Sequence, residues 1–286
     1  MKVSVITVCF NSARTIAHTI DSFLRQSHQD KELVVVDGAS TDGTLEIVNS
    51  FADAKIRLIS EPDDGMYQAA NKGLAAFTGD AVGFLNSDDR FADGQALSHL
   101  SEALTDADIA FGNLDFVTDH EVRAVVRRWR GAAFRKGAFR RGWMPAHPTF
   151  YVRRAVIDAV AGFDTRYKIA ADYDFMLRAL ELHDFRSVFV DRVLVHMMRG
   201  GESTSGVAAY VRHNYEALNS RRQWLGAGLV DYSLFAKPLR KLPQIAMTVS
   251  GVEWHRRAPA GIRGAPRPPG VSHSSALGAG RAPDDR

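Results

Sequence analysis

Ala81-Val82-Gly83-Phe84-Leu85-Asn86-Ser87-Asp88-Asp89 is a short apolar run that stops in an amide, a hydroxyl and two carboxylates. A run of this length without polar alternation reads as a strand covered on both faces. In open α/β sheets, ligands sit beyond the carboxyl ends of the strands. Hard cations such as Mg²⁺ and Mn²⁺ prefer carboxylate oxygens and bridge to phosphates. The stretch therefore reads either as a strand end that holds a metal-bound diphosphate, or as a polar turn whose Asp89 caps the next helix.

Three further units of the same kind lie upstream. Val3 to Val8 is a β-branched strand, followed by a helical spacing over residues 12–25 at Ile16, Ile20, Phe23 and Leu24. Glu32 to Val36 is a second strand ending in Asp37-Gly38, and Ser40 or Thr41 is placed to cap a helix through residue 50. Ile56 to Ile59 is a third strand, and residues 66–76 read as helix. Strands alternating with helices predict right-handed βαβ units and a mainly parallel α/β sheet with helices on both faces. Four strand ends on one edge then carry Thr7 through Asn11, Asp37, Asp63-Asp64-Gly65 with Asn71 and Lys72 beyond, and Asn86 through Asp89.

Past residue 90 the signals loosen. Helices are predicted at 95–104, 154–161, 173–182 and 207–226, and strands at 109–113, 121–129, 150–152 and 186–195. Residues 234–247 are apolar and basic, and from Arg256 onward Pro, Gly, Ser and Arg dominate, which predicts a disordered tail. The chain thus divides into a strand-rich half at 1–90, a second half of the same domain at 91–205, a helical extension at 206–255 and a basic tail at 256–286.

Composition narrows the class. The 286 residues are 45% hydrophobic and 24% charged, ordinary for a globular chain. The net charge of +3 is carried by the tail, whose six Arg and two Asp leave the other 255 residues near neutrality. From Arg123 to Arg141 stand eight basic residues and no acid. No helix-turn-helix or RNA-recognition pattern accompanies them, so an anionic substrate or lipid is expected there rather than nucleic acid. A single cysteine, Cys9, excludes an internal disulfide and a cysteine-based zinc site. No secretory leader and no apolar run of membrane-spanning length are seen, so the cytoplasm is the expected location. Neither G-x-G-x-x-G after the first strand nor a P-loop occurs, which argues against dinucleotide enzymes and P-loop NTPases.

The strings SVITVCFNS, ELVVVDGASTDGT, SEPDDGMYQAANKG and GDAVGFLNSDD resemble, in order and spacing, the nucleotide half of family 2 glycosyltransferases, which have the GT-A fold. The resemblance resumes at MPAHPTFYVRR, GFDTRYKIAADYDFMLR and VLVHMMRGGEST, and covers roughly residues 1–205. It implies an inverting transfer of a sugar from a nucleotide-sugar donor to a glycan or lipid-linked acceptor, with peripheral contact at the inner face of the plasma membrane as a further expectation. By this likeness Asp37 accepts a hydrogen bond from the base, and Thr7, Cys9 and Asn11 line base and ribose. Asn71 and Lys72 stand near the base and phosphates, Asn86 bonds the ribose through its amide, and Ser87 belongs to the same donor-binding set. Asp88 holds Mg²⁺ or Mn²⁺, with His196 as a further ligand candidate. Asn86 replaces the first acid of the usual Asp-x-Asp and brings no charge. Asp89 supports the turn or caps a helix.

Asp172 is implied as the general base, in a segment where Ala171 stands in place of the acid many relatives carry. The same Asp also has the residue type of a helix N-cap, and Asp174 is the fallback base. His147 and Trp143 fall on the acceptor side; each also reads as an ordinary structural residue. Two other functions stay open at this level: a sugar nucleotidyltransferase, whose Gly-rich basic signature TVCFNSART lacks, and a non-catalytic nucleotide- or sugar-binding protein.

Overall fold

A computed structural model describes residues 1–119, 124–198 and 207–226, all within one unit, Met1–Arg240. The early part of the expected 121–129 strand, the GGEST string, the 234–247 stretch and the tail lie outside the described residues. The chain opens on Val3–Cys9 (β1), crosses through Ile16–Leu24 (α1) to Lys31–Asp37 (β2), and through Thr44–Ser50 (α2) to Ile56–Ser60 (β3). Met66–Ala76 (α3) returns to Ala81–Phe84 (β4) on the other side of β1. All four strands are parallel, with Val5 level with Leu33 of β2 and Gly83 of β4. The strand order thus reverses at β1, which opens a crevice at the carboxyl edge.

The strands are apolar throughout because both faces are covered. Along β2, Leu33 and Val35 join a core with Ile16, Ile20 and Phe23 of α1, while Val34 and Val36 face Tyr67, Ala70 and Leu74 of α3. That split is the two-residue period of a strand meeting a helix on each side. Gly73 lies inside α3, three residues before its end. A Cβ there would stand 2.5 Å from Ile6 Cγ2, so glycine lets α3 lie directly on β1. Gly83 works likewise, since a Cβ would meet the Tyr151 ring at 2.5 Å.

The second half extends the same sheet. It comprises Arg90–Phe91 (β5), Ala96–Ala103 (α4), Ile109–Val117 (β6), Val125–Trp129 (β7), Tyr151–Arg153 (β8), Arg154–Val160 (α5), Ala171–Leu177 (α6), Ser187–Met198 (β9) and Val207–Leu225 (α7). The order is β3-β2-β1-β4-β8-β6-β9-β5, with β7 paired to β6. β8 runs antiparallel to β4 and β6, and β6 is parallel to β9.

Three expectations are corrected. Neither Ser40 nor Thr41 caps α2, which starts after Gly43 at φ 93°. Asp42 instead accepts the Thr44 N–H (3.1 Å) and hydroxyl (2.5 Å), and this local turn sets the helix start. Asp89 caps no helix, because the next element is β5. The helix expected at 173–182 begins earlier, at Ala171, with Ala170 as N-cap and a π-helical turn over Arg178–Leu182. Asp172 therefore lies in the first turn and is not the cap.

Candidate active site

At the crevice, β1 ends in Cys9, Phe10 and Asn11. Asn11 adopts φ 50°, a left-handed conformation that Asn tolerates. Its N–H donates to Ser40 Oγ (2.8 Å) and its Oδ1 accepts the Thr41 N–H (2.9 Å), stapling the first two strand-end loops together. Asp37 closes β2 and is fully buried. Its Oδ1 accepts the Ser40 hydroxyl and the Cys9 thiol (3.6 Å); its Oδ2 accepts the Ser40 N–H and the Ser60 hydroxyl, both at 2.9 Å. Burial first, and then the Asp37 charge, push the Cys9 thiol far above its ordinary range, so it is a wall residue and not a nucleophile. Thr7 is buried and donates to the Leu85 carbonyl at 2.8 Å, toward the neighbouring strand.

What projects above these groups is Phe10, 64% exposed. A Cβ on Gly38 would lie 3.5 Å from its ring and 2.8 Å from Asp63 Oδ2. Phe10, the Gly38 backbone and Asp63 thus form a slot with an aromatic wall, a bare floor and a carboxylate. Asp63 Oδ1 accepts the Gly65 N–H (2.8 Å), while Oδ2 has no hydrogen-bond partner among the described residues. Lys72 holds the loop beside the slot, through the Pro62 carbonyl (2.7 Å) and Glu61 (3.0 Å). Asn71 pairs both ways with the Phe163 backbone, at 2.9 Å each, and so ties α3 to the loop before α6.

After β4 the chain makes a tight turn. Asn86 Nδ2 donates to Asp89 Oδ2 (2.8 Å), and the Asp89 N–H donates back to the Asn86 carbonyl (3.0 Å). Asp89 Oδ1 accepts the Met198 N–H (3.0 Å), and its carbonyl accepts the Thr19 hydroxyl (2.7 Å). Ser87 shares a hydrogen bond with Ser12 at 2.9 Å. Asp89 is therefore a buried strut from the turn to β9 and α1. Burial, then the neighbouring Asp88 charge, hold its carboxyl well above the usual range. Asp88 is half-buried and has no side-chain partner among the described residues; burial raises its pKa too. A desolvated carboxylate in this state gains strongly from a cation. Among the described residues no three His, Cys, Asp or Glu side chains converge as a metal cage. A cation on Asp88 would draw its remaining ligands from phosphate and water, as Mg²⁺ commonly does. His196 sits on β9 level with Arg90 of β5 and Asp115 of β6, two residues before Met198.

At the start of α6, Asp172 Oδ1 accepts the Tyr173 N–H (2.8 Å), and the Tyr67 hydroxyl lies 3.4 Å away. His147 stacks on Phe84 (centroids 5.5 Å, 27°) and stands edge-on to Phe163 (5.9 Å, 87°). Its Nε2 is buried with no partner among the described residues. Burial lowers the His147 pKa and the Asp172 charge opposes this, so the ring is neutral near pH 7. Trp143 belongs to an aromatic cluster with Phe111, Phe134 and Phe139 at 5.7 to 5.9 Å, which anchors the basic loop. Asp174 is fully buried and accepts from Ser220 (2.8 Å), Trp224 (2.9 Å) and Arg178 (2.7 Å).

Sequence reasoning missed Phe10 and Glu216 as site-forming residues. An aromatic straight after an apolar strand was the available signal for Phe10. Glu216 gave none, since it lies in a polar helix 44 residues beyond Asp172.

The family model for Glycosyl transferase family 2 matches residues 4–159. A PGL/p-HBAD biosynthesis glycosyltransferase of Mycobacterium bovis is 31% identical over 182 residues, 61% of this chain and 68% of that protein. An uncharacterized glycosyltransferase of Nostoc sp. is 41% identical over 92 residues, 31% of this chain and 29% of that protein. Among solved structures, S. aureus TarS 1-349 in complex with UDP-GlcNAc superposes with a TM-score of 0.59 at 22% identity, covering 78% of this chain and 73% of that one. Mannosyltransferase PcManGT from Pyrobaculum calidifontis, in complex with GDP-Man and Mn²⁺, gives 0.60 at 19% identity, covering 88% and 74%. At these identities the likeness is one of fold, and that fold is GT-A.

Proposed function

We propose how this chain, which belongs to glycosyl transferase family 2 and is a glycosyltransferase, uses its crevice: it moves a sugar from a nucleotide-sugar donor to a hydroxyl of a glycan or glycolipid acceptor, inverting the anomeric centre. The observation that carries the donor side is Asp88. It is a half-buried carboxylate, without a cation among the described side chains, in a turn whose other polar groups are committed. The donor base stacks on Phe10 above Gly38, where the open Asp63 Oδ2 suits a ring N–H of uracil, thymine or guanine. Asp37, Cys9 and Thr7 shape the floor beneath it, and Asn11 sets the rim. Asn86 and Ser87 border the ribose and phosphates, and Lys72 balances phosphate charge from the neighbouring loop.

The donor set at Asp88 fits Mg²⁺ or Mn²⁺, and the mannosyltransferase neighbour was solved with Mn²⁺. When bound, such an ion supplies positive charge to the diphosphate. His196 is a further ligand candidate from β9. On the other side, Asp172 takes the proton from the acceptor hydroxyl through Oδ2, which has no protein partner among the described residues. The neutral His147 Nε2 offers that hydroxyl a hydrogen bond. The acceptor oxygen attacks the anomeric carbon as the bond to the β-phosphate oxygen breaks, and the nucleoside diphosphate leaves with the electron pair.

The relative named for PGL/p-HBAD biosynthesis favours a glycolipid acceptor. No helix among the described residues is long and apolar enough to cross a membrane. We place the enzyme in the cytoplasm, touching anionic lipid at the inner face of the plasma membrane through its basic loop.

Calorimetric titration of UDP, GDP and dTDP, with and without Mn²⁺, against wild type and Asp88→Ala tests the donor site. One nucleotide should bind better with metal, and Asp88→Ala should lose that gain. Absence of any metal effect overturns the assignment of Asp88. Asp172→Ala should still bind donor but lose transfer, and undiminished transfer overturns the base.

A further inference from the structure

We propose that α7, which lies beyond the family-matching residues 4–159, is part of the catalytic apparatus, and that its Glu216 is the positioning residue for Asp172. The inference rests on the reading of Asp172 as general base.

Glu216 is 8% exposed and has no ion pair among the described residues. Burying a carboxylate without a cation is costly unless hydrogen bonds replace its water. Here one oxygen, Oε2, accepts three consecutive backbone N–H groups, those of Lys168 (3.1 Å), Ile169 (2.9 Å) and Ala170 (3.0 Å). Successive N–H groups converging on one point form an anion nest, and hydrogen bonds to an ionised acceptor are the strong kind. An apolar residue at 216 would leave all three donors unpaired. The nest therefore both needs the carboxylate and is held in shape by it.

The segment so held leads into α6, and Asp172 follows Ala170 by two residues. The opposite face of the same segment is held too, because the Tyr67 hydroxyl donates to the Ile169 carbonyl at 2.7 Å. That hydroxyl oxygen is also 3.4 Å from Asp172 Oδ1. Beyond Asp172, α7 grips the next two residues. Arg221 donates to the Tyr173 hydroxyl (2.9 Å), and Ser220 and Trp224 donate to Asp174. Residues 216, 217, 220, 221 and 224 fall on one face of the helix. Asp172 is thus the half-buried link between two clamped stretches, 168–170 and 173–174, both fastened to α7. Tyr67 adds a tie to α3, which starts directly after the Asp63-Asp64-Gly65 loop of the donor slot.

An error of about 1 Å in placing a catalytic group costs roughly 100-fold in rate. Freeing the 168–170 segment should therefore lower kcat about 10- to 100-fold and leave donor binding unchanged. The test uses the full chain with UDP-glucose and GDP-mannose as donors, and reads release of nucleoside diphosphate. Hydrogen exchange of the 168–170 amides is followed in parallel. Glu216→Ala should lose exchange protection at these amides, lower kcat, and keep the calorimetric affinity for UDP or GDP. Glu216→Gln, which retains an acceptor oxygen on the same stem, should recover most of both. Tyr67→Phe removes only a hydroxyl and keeps the fold, and should lower kcat in the same sense. If Glu216→Ala and Tyr67→Phe turn over like wild type while Asp172→Asn is inactive, the positioning role is overturned and the base stands. If Asp172→Asn itself turns over normally, the base reading has failed instead. If the 168–170 amides exchange at the wild-type rate in Glu216→Ala, the clamp does not exist and the proposal falls.

Discussion

Replacing Asp174 by Asn should be among the most damaging isosteric changes in this protein. Asp174 is fully buried, and its Oδ2 receives the Arg178 Nε–H at 2.7 Å inside the α6 region. The Arg178 side chain is only 10% exposed, so neither charge is well solvated. Asn has one acceptor oxygen, which stays with Ser220 and Trp224 on the Oδ1 side. Its amide group then points N–H at N–H toward Arg178 and leaves the cation with the Val160 and Gly162 carbonyls alone. Breaking a buried pair by removing one partner costs about 3–5 kcal/mol. The two remaining carbonyls set the expectation at the lower end, about 3 kcal/mol. A domain of this kind has a total stability of roughly 5–15 kcal/mol, so the loss is a large fraction. With a urea slope near 3 kcal/mol per molar, the midpoint should fall by about 1 M. Urea unfolding followed by tryptophan fluorescence reads this directly. The double variant Asp174→Asn with Arg178→Met removes the stranded cation and should regain part of the loss, since a buried pair replaced as a whole is often neutral. A midpoint shift below about 0.3 M for the single variant, or a double variant no better than the single one, would refute the reasoning.

Glu32 supplies an acid-dependent contribution. Burial pushes its carboxyl up, but bonds from Lys2, Ser4 and Thr78 outweigh it and hold the pKa at about 2. A carboxyl held below its ordinary value near 4.5 gives stability that is complete above that value and lost as pH falls toward 2. Glu32→Gln should therefore flatten the fall in urea midpoint over that window, and parallel slopes for variant and wild type would count against the account. Phe10→Ala should weaken nucleotide binding by about 1–3 kcal/mol, or roughly 5- to 150-fold, the worth of one base–aromatic stack. Its urea midpoint should stay put because the ring is mostly exposed, and an unchanged nucleotide affinity would remove Phe10 from the slot.

Much of the first ninety residues was legible because its signals are local. β-Branched runs at Val3 and Leu33, helical spacing at Ile16 and Ile20, and Asp-Gly at a strand end each act within a few residues. Right-handed crossovers then oblige the strand ends to share an edge. The pairing of Asn86 with two following acids and the candidacy of Asp172 were likewise present in the sequence. Tertiary structure decided which of these groups stay available. Asp89 and Asp88 are neighbours in sequence, yet Asp89 receives Met198 from β9 and Asn86 from its own turn, while Asp88 receives no other side chain among the described residues. Asp37 is surrounded by donors from three segments, and Asp63 is left with an open oxygen. Trp143 went to the aromatic cluster because three phenylalanines converge on it from elsewhere in the chain. Glu216 met Lys168, Ile169 and Ala170 only because α7 folds back over α6. Propensity and periodicity fix what a residue can do locally; which donor or cation reaches a carboxylate is a property of distance in space, and a single sequence does not encode that distance in any local pattern.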